Sequence, residues 1–457
     1  MKSKNIILYI LVLAGSAIYI SLIFNQNVWL DEAFTGSLVN TSFKGVLTRS
    51  MQDTLPPLYN LLLKLMTAIF GYHIPIMKLT SVIPMILTMI LGATTVKKRF
   101  GHLVAGLWII CLFSMPYMLY YGVEIRMYSW GFFFATASGV YLYEVISDSC
   151  KKNWILFTLF SVGAGYTHHF AFVTVGFVYL ALLLYYIFFE RKALKRWFLC
   201  LLVTVALYIP CMIVTLAQLK RVSGYFSMPD VTLSVFIKYM YYPYVVGNPI
   251  VSVLLTLLMM TLVLVLLFLI FIKKERHVKY LYALCCFLIY YGVLCFGTIV
   301  SNMMTANIFV DRYLFFSIGL LWLFFAILIP ELKKPIPLIL LLFTFIISAI
   351  GYHKEWQIEY GTSPDTMISF LNEKIKSDDG VISFEDSKQI ATCLTFYYPD
   401  LTQYDSEQID SIKGTVWCIV MNGYEAEFQD FLQQGYHSVL QGEFTFDRYA
   451  YKLYTIK

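Results

Sequence analysis

Apolar runs broken by short polar and basic patches fill the first three quarters of the chain. A run of roughly 17–25 mostly apolar residues is the length an α-helix needs to cross a bilayer. Such runs fall at 5–24, 75–96, 103–121, 127–147, 154–169, 170–189, 197–217, 249–272, 280–301, 313–330 and 336–351, which predicts about eleven transmembrane helices. The apolar stretch 57–70 is too short to cross comfortably and reads as an interfacial or re-entrant helix.

Past Gly351 polar and apolar positions begin to alternate. Ser363-Pro364-Asp365 predicts a helix start, with Ser363 as N-cap and Pro364 at the first helical position. Segments 380–384 and 415–421 predict strands, the second one buried; 387–397 and 425–433 predict helices, and 444–454 alternates like a strand or hairpin. Roughly 105 residues of mixed α/β can bury their own core. The expected fold is a polytopic all-α membrane protein over 1–351, followed by a small extracytoplasmic α/β domain over 352–457. That tail has no nucleotide fingerprint and reads as a packing or acceptor-guiding module.

Composition agrees. Of 457 residues 59% are hydrophobic and 14% charged, too little charge to cover a soluble surface of this size. Charge placement then sets orientation. Lys2 and Lys4 put the N-terminus inside by the positive-inside rule. Every second loop is basic, with Lys97-Lys98-Arg99, Lys151-Lys152, Arg191-Lys192, Lys273-Lys274 and Lys333-Lys334, while the alternate loops are poorer in lysine and arginine. Counting 57–70 as a crossing would put Lys97-Lys98-Arg99 outside, so it is not counted. The net charge of +6 therefore reports topology and not nucleic-acid binding. Asn25-Gln26-Asn27 follows the first run without a small-x-small cleavage site, so that run is an anchor. The nine cysteines show no metal spacing, and Cys393 with Cys418 in the tail is the pair that could bridge.

Several polar constellations fall on the expected outer side. Asp31 and Glu32 follow the first run, inside the first external loop, 25–74. Asp31 could simply cap a helix over 32–38. Two acids in an aromatic, near-membrane setting are costly to hold unless their charge is used. Glu124 and Arg126, in Tyr120-Tyr121-Gly122-Val123-Glu124-Ile125-Arg126, are two apart and do not face each other on a helix. Tyrosine anchoring and arginine snorkelling are the plain structural reading there. His168 and His169 would point about 100° apart on a helix, against one shared metal. Lys220, Arg221 and Lys238 lie in a long outer loop, 218–248, either solvated or attracting an anionic headgroup. Arg312, before Tyr313 at the entrance to the tenth run, is placed to grip a phosphate bidentately, unless Asp311 merely neutralises it.

The order of these elements resembles the GT-C superfamily of membrane glycosyltransferases, in particular bacterial relatives of the dolichyl-phosphate-mannose–protein mannosyltransferases. The resemblance rests on the Asp31-Glu32 pair, Asp53-Thr54-Leu55-Pro56-Pro57, the Glu-x-Arg loop, the His-His corner, the Arg-Tyr boundary and the soluble tail. It implies an integral plasma-membrane enzyme of a bacterium. Such an enzyme moves a sugar, with inversion, from a polyprenyl-phosphate-linked donor to a hydroxyl of a glycan, lipid or protein at the outer face. By the same resemblance Asp31 is the catalytic base and Glu32 its electrostatic partner. Glu124 supports the site as a metal or acceptor ligand, Arg126 helps to order it, and His168, His169, Arg312, Tyr313, Lys220 and Arg221 surround the donor phosphate. Asp31, Glu32 and Glu124 offer oxygen ligands of the kind hard cations such as magnesium or manganese take; metal dependence, sugar and acceptor stay open. The rival reading is a transporter or lipid flippase. Those proteins place charges near mid-bilayer and carry internal repeats with broken helices, whereas here the charges gather at one side and no repeat stands out.

Overall fold

The computed structural model describes residues 2–225, 230–272, 277–303, 308–333, 335–384, 388–423, 425–446 and 449–457. Helices dominate: α1 (Lys2–Ser21), α2 (Leu30–Val39), α3 (Phe43–Gln52), α4 (Leu58–Phe70), α5 (Ile74–Leu91), α6 (Lys97–Ser114), α7 (Met118–Val123), α8 (Tyr128–Ser147), α9 (Lys151–Thr167) and α10 (His169–Phe189). They continue with α11 (Leu194–Tyr225), α12 (Leu233–Tyr241), α13 (Pro249–Leu267), α14 (Val278–Met303), α15 (Phe315–Leu328) and α16 (Ile336–Tyr360). Among the described residues seven helical stretches are long and apolar enough to cross a membrane: Ile74–Ser114, His169–Phe189, Arg191–Leu216, Pro249–Ile272, Val278–Met303, Asp311–Glu331 and Ile339–Lys374. The chain is an integral membrane protein. The expected spans 5–24, 127–147 and 154–169 do form helices α1, α8 and α9, but lie outside these seven stretches. Helix α4 has 13 residues, about 20 Å of rise, short of a hydrocarbon core of roughly 30 Å.

Local chemistry moves several boundaries. Ile74–Ser114 is broken at Gly101, whose φ of 86° and ψ of 177° separate two expected spans just after Lys97-Lys98-Arg99. The expected span 103–121 stops at Ser114. Pro116 keeps Met115 extended at φ −75° and ψ 159°, and Tyr117 turns left-handed at φ 66° before α7. Helix α11 continues to Tyr225, so Lys220 and Arg221 occupy its last turns and not a loop; their side chains lie outside the described residues. No glycine or proline interrupts 211–223, so nothing stops the helix at 217. Helix α16 likewise runs through the composition change at Gly351 to Tyr360.

The chain divides into two compact units: Met1–Ser21, Leu47–Leu62 and Leu79–His353 form the first, and Leu22–Val46, Leu63–Lys78 and Lys354–Lys457 the second. In the first, every residue of α15 is buried. A helix apolar all round belongs inside a bundle. Helix α8 approaches it through small residues; a Cβ on Gly131 would come within 2.6 Å of the Phe316 ring. Trp108 Nε1 donates to the Gly319 carbonyl at 3.0 Å. The 3₁₀ turn Asp311–Leu314 leads into α15, so Arg312 and Tyr313 are presented by a helix packed on all sides.

The second unit holds the sheet. Its elements are α17 (Asp365–Lys374), β1 (Gly380–Ser383), α18 (Lys388–Tyr397), β2 (Thr402–Asp405), β3 (Val416–Met421), α19 (Ala426–Gln433), β4 (Ser438–Phe446) and β5 (Tyr449–Ile456). Strand order is β2-β1-β3-β5-β4, with β1 parallel to β2 and β3 and the β4–β5 hairpin antiparallel. Ile382, Cys418, Val420 and Ile456 pack with Phe428 and Phe431 of α19 on one face. Trp417, from the other face, meets Phe370 of α17 edge-on. Burial on both faces explains why β1 and β3 read as continuous apolar runs. Helix α17 starts one residue later than expected, with Ser363 Oγ accepting the Asp365 amide at 3.2 Å. Cys393 and Cys418 are buried free thiols.

Candidate active site

The first unit gathers most of the expected donor-side residues. His168 joins α9 to α10 in extended backbone, φ −159° and ψ 141°, and is 1% exposed. The helical geometry assumed for the two histidines therefore does not apply. Its Nδ1 accepts the Phe170 amide hydrogen at 3.0 Å and so caps α10. A nitrogen that accepts cannot carry the proton, so in the neutral ring Nε2 is the N–H. That Nε2 has no hydrogen-bond partner among the described residues. The imidazole is wedged between Tyr313 and Phe316, with ring centroids 4.7 and 4.5 Å away. Both Arg126 and Arg312 lie within electrostatic range of it. One buried N–H and two guanidinium groups make a donor-rich, cationic cluster of the kind that suits a phosphate.

His169 faces elsewhere. Its Nε2 donates to the Thr54 carbonyl at 3.2 Å. Gln218, from α11, donates from Nε2 to the carbonyls of Ser50 (3.2 Å) and Leu55 (3.0 Å) and lies beside His169. Together they pin the segment 50–55, which contains Asp53. Sequence reasoning missed Gln218, since one amide in a helix of a polytopic protein carries no local signal.

Glu124 and Arg126 are not helical. Glu124 ends α7, the Arg126 amide bonds back to the Glu124 carbonyl at 2.6 Å, and α8 begins at Tyr128. Glu124 is buried and Arg126 half-buried. At the head of α15, Asp311 Oδ1 accepts the Arg312 amide at 2.8 Å, and the Arg312 guanidinium lies 5.9 Å from the Tyr313 ring centroid.

Asp31 and Glu32 belong to the second unit, on α2. Asp31 is not the cap. Trp29 holds that position, and it is Glu32, at the third helical residue, whose Oε2 accepts the Trp29 amide at 3.1 Å. Glu32 is buried and Asp31 half-buried. Thr35 Oγ1 donates to the Asp31 carbonyl at 2.8 Å. The preceding segment is anchored by Asn27, whose Nδ2 donates to the carbonyls of Ile358 (3.3 Å), Glu359 (3.1 Å) and Thr362 (2.9 Å) and so closes the C-terminal end of α16. Lys78 pairs with Glu359 at 2.6 Å in the same unit, with side-chain exposures of 1% and 9%. A lysine inside an apolar run was the available sequence signal for this pair. Among the described residues no group of three or more His, Cys, Asp or Glu side chains has the geometry of a metal site.

The architecture is a helical membrane module with a small C-terminal sheet domain. A family model for dolichyl-phosphate-mannose–protein mannosyltransferase matches residues 54–214, a window that holds Glu124, Arg126, His168 and His169. The chain is similar in structure to ArnT from Cupriavidus metallidurans bound to undecaprenyl phosphate, with a TM-score of 0.66 over 97% of each chain at 9% identity. It is also similar to apo ArnT from the same organism, with a TM-score of 0.62, again over 97% of each chain at 9% identity. No curated protein matches the chain significantly in sequence.

Proposed function

We propose that this protein is an inverting glycosyltransferase that moves a sugar from a polyprenyl-phosphate-linked donor to an acceptor hydroxyl at the outer face of the membrane. The observation that carries this reading is the cluster at the head of α15, where Arg312 and Arg126 lie within electrostatic range of buried His168, whose Nε2–H has no partner among the described residues. The likeness to ArnT bound to undecaprenyl phosphate supports the donor class. In this reading the membrane module, 1–351, carries the donor, and the domain 352–457 is extracytoplasmic.

Asp31 takes the proton of the acceptor hydroxyl as its oxygen attacks the anomeric carbon. The bond from that carbon to the phosphate oxygen breaks, its electron pair leaves with the polyprenyl monophosphate, and one displacement inverts the anomeric centre. Charge grows on the leaving oxygen, so cations and N–H donors aimed there bind the transition state more tightly than the ground state. Glu32 holds the start of α2 and supplies the neighbouring negative charge. Glu124 supports the site beside Arg126.

The test is label transfer in membranes supplied with radiolabelled undecaprenyl-phosphate sugars, wild type against Asp31→Asn. The variant keeps size and hydrogen bonding but lacks a basic carboxylate, so turnover should drop about 10²–10⁴-fold with undecaprenyl-phosphate binding retained. Wild-type transfer by Asp31→Asn, or labelling of cysteines introduced at 40 and 400 only from the cytoplasmic side, would overturn the reading.

A further inference from the structure

Helix α2 has ten residues, too few to be stable alone in water. Where Asp31 and Glu32 stand is therefore set by what α2 packs against, and within the second unit that is the C-terminal domain together with Tyr72. Helix α18 lies along it. Phe396 packs onto the α2 backbone at Gly36, where a Cβ would overlap its ring. The next residue reaches the chain that leads into α2. The Tyr397 hydroxyl bonds the Gln26 carbonyl at 2.9 Å and lies 3.4 Å from that of Val28, with the Glu32 carboxylate in electrostatic range. Tyr72 donates to the Gly36 carbonyl at 2.7 Å, one of the four at the helix end that have no partner within the helix. At the other end, Trp29 stacks on Tyr449 of β5, centroids 6.3 Å apart.

We infer that the C-terminal domain is the positioning element for α2, with Phe396 and Tyr397 as positioning residues that fix the place of Asp31 and Glu32. This rests on the reading of Asp31 as the base. Neither residue is assigned contact with substrate. The domain would then be needed for turnover even when donor binding is intact.

The test uses the full-length protein in lipid nanodiscs. Gly36→Ala, Tyr397→Phe and the pair Gly36→Ala/Phe396→Leu are compared with wild type. Three readouts are taken: amide hydrogen exchange over 30–39, binding of undecaprenyl phosphate, and label transfer from undecaprenyl-phosphate sugars. Gly36→Ala and Tyr397→Phe should speed exchange over 30–39 and leave undecaprenyl-phosphate affinity within about twofold. Turnover should fall about 10–100-fold, the scale of a misplacement near 1 Å. Adding Phe396→Leu to Gly36→Ala makes room for the new methyl and should recover most of both losses, which a general folding defect would not permit. Wild-type exchange and turnover in Gly36→Ala and Tyr397→Phe overturn the inference, even where Asp31→Asn is inactive. Faster exchange in Tyr397→Phe beside a fully active Asp31→Asn supports the domain as the holder of α2 and overturns only the catalytic reading of Asp31.

Discussion

His168 Nδ1 accepts the amide hydrogen of Phe170 at 3.0 Å, so α10 is capped by an imidazole where a hydroxyl, carboxylate or carboxamide side chain is usual. One nitrogen of the ring thus closes a helix, while the other is a buried N–H without a partner among the described residues, within electrostatic range of Arg126 and Arg312. Asparagine at this position keeps a cap acceptor but has no group in the place of Nε2–H. His168→Asn should change thermal stability by less than about 1 kcal/mol and weaken undecaprenyl-phosphate binding by roughly 10–100-fold, the worth of a hydrogen bond to a charged group. Unaltered binding would restrict His168 to capping.

Arg312 should tolerate no exchange for lysine. Arg312→Lys keeps the charge but loses the planar fork that matches a phosphate. Affinity for undecaprenyl phosphate should fall about tenfold, and the salt dependence of binding should stay the same. Asp311 is occupied with the Arg312 backbone amide, so Asp311→Ala, which removes that acceptor, should mainly loosen the turn into α15, detectable as a lower melting temperature.

The Lys78–Glu359 pair is nearly dry. Breaking such a pair by removing one partner costs about 3–5 kcal/mol, because the remaining charge is left buried, while replacing both by apolar groups is often close to neutral. Glu359→Gln should lower the melting temperature of the full-length protein strongly. Lys78→Met with Glu359→Leu should recover most of that loss.

Acid should loosen the C-terminal sheet through Asp379. Burial pushes this carboxyl up, but the Trp417 indole and the backbone amides of Lys376 and Thr415 together hold it below the ordinary carboxylate range. Because the folded value is the lower one, its stabilisation is present above the unfolded value of about 3.9 and is lost as pH falls below it. Asp379→Asn should destabilise the protein at pH 7 and flatten the acid limb of its stability profile below about pH 4. An acid limb identical to wild type would assign that limb to other carboxylates.

Much of this protein is written locally. Apolar runs of bilayer length gave helices where expected, and the short 57–70 run gave α4. The buried strands β1 and β3 appear within a residue of their apolar runs, because an element that buries itself must show it in its own residues. Tertiary structure decided the rest. β2, Thr-Gln-Tyr-Asp, is a polar strand that exists because β1 offers it hydrogen bonds, and no alternation marks it. Pro116 was visible, yet the early end of its span depended on how Met115 and Tyr117 could turn. The extended backbone that makes His168 a cap, the reach of Gln218 to Ser50 and Leu55, and the bond from Tyr397 to Gln26 join residues far apart in the chain. Such contacts leave no period and no spacing behind. Sequence thus determined which segments form apolar helices and which residue types could serve a phosphate and a proton. Only the packed chain decided which of them lie close together within each unit, because side chains distant in sequence become neighbours through the burial of the elements that carry them.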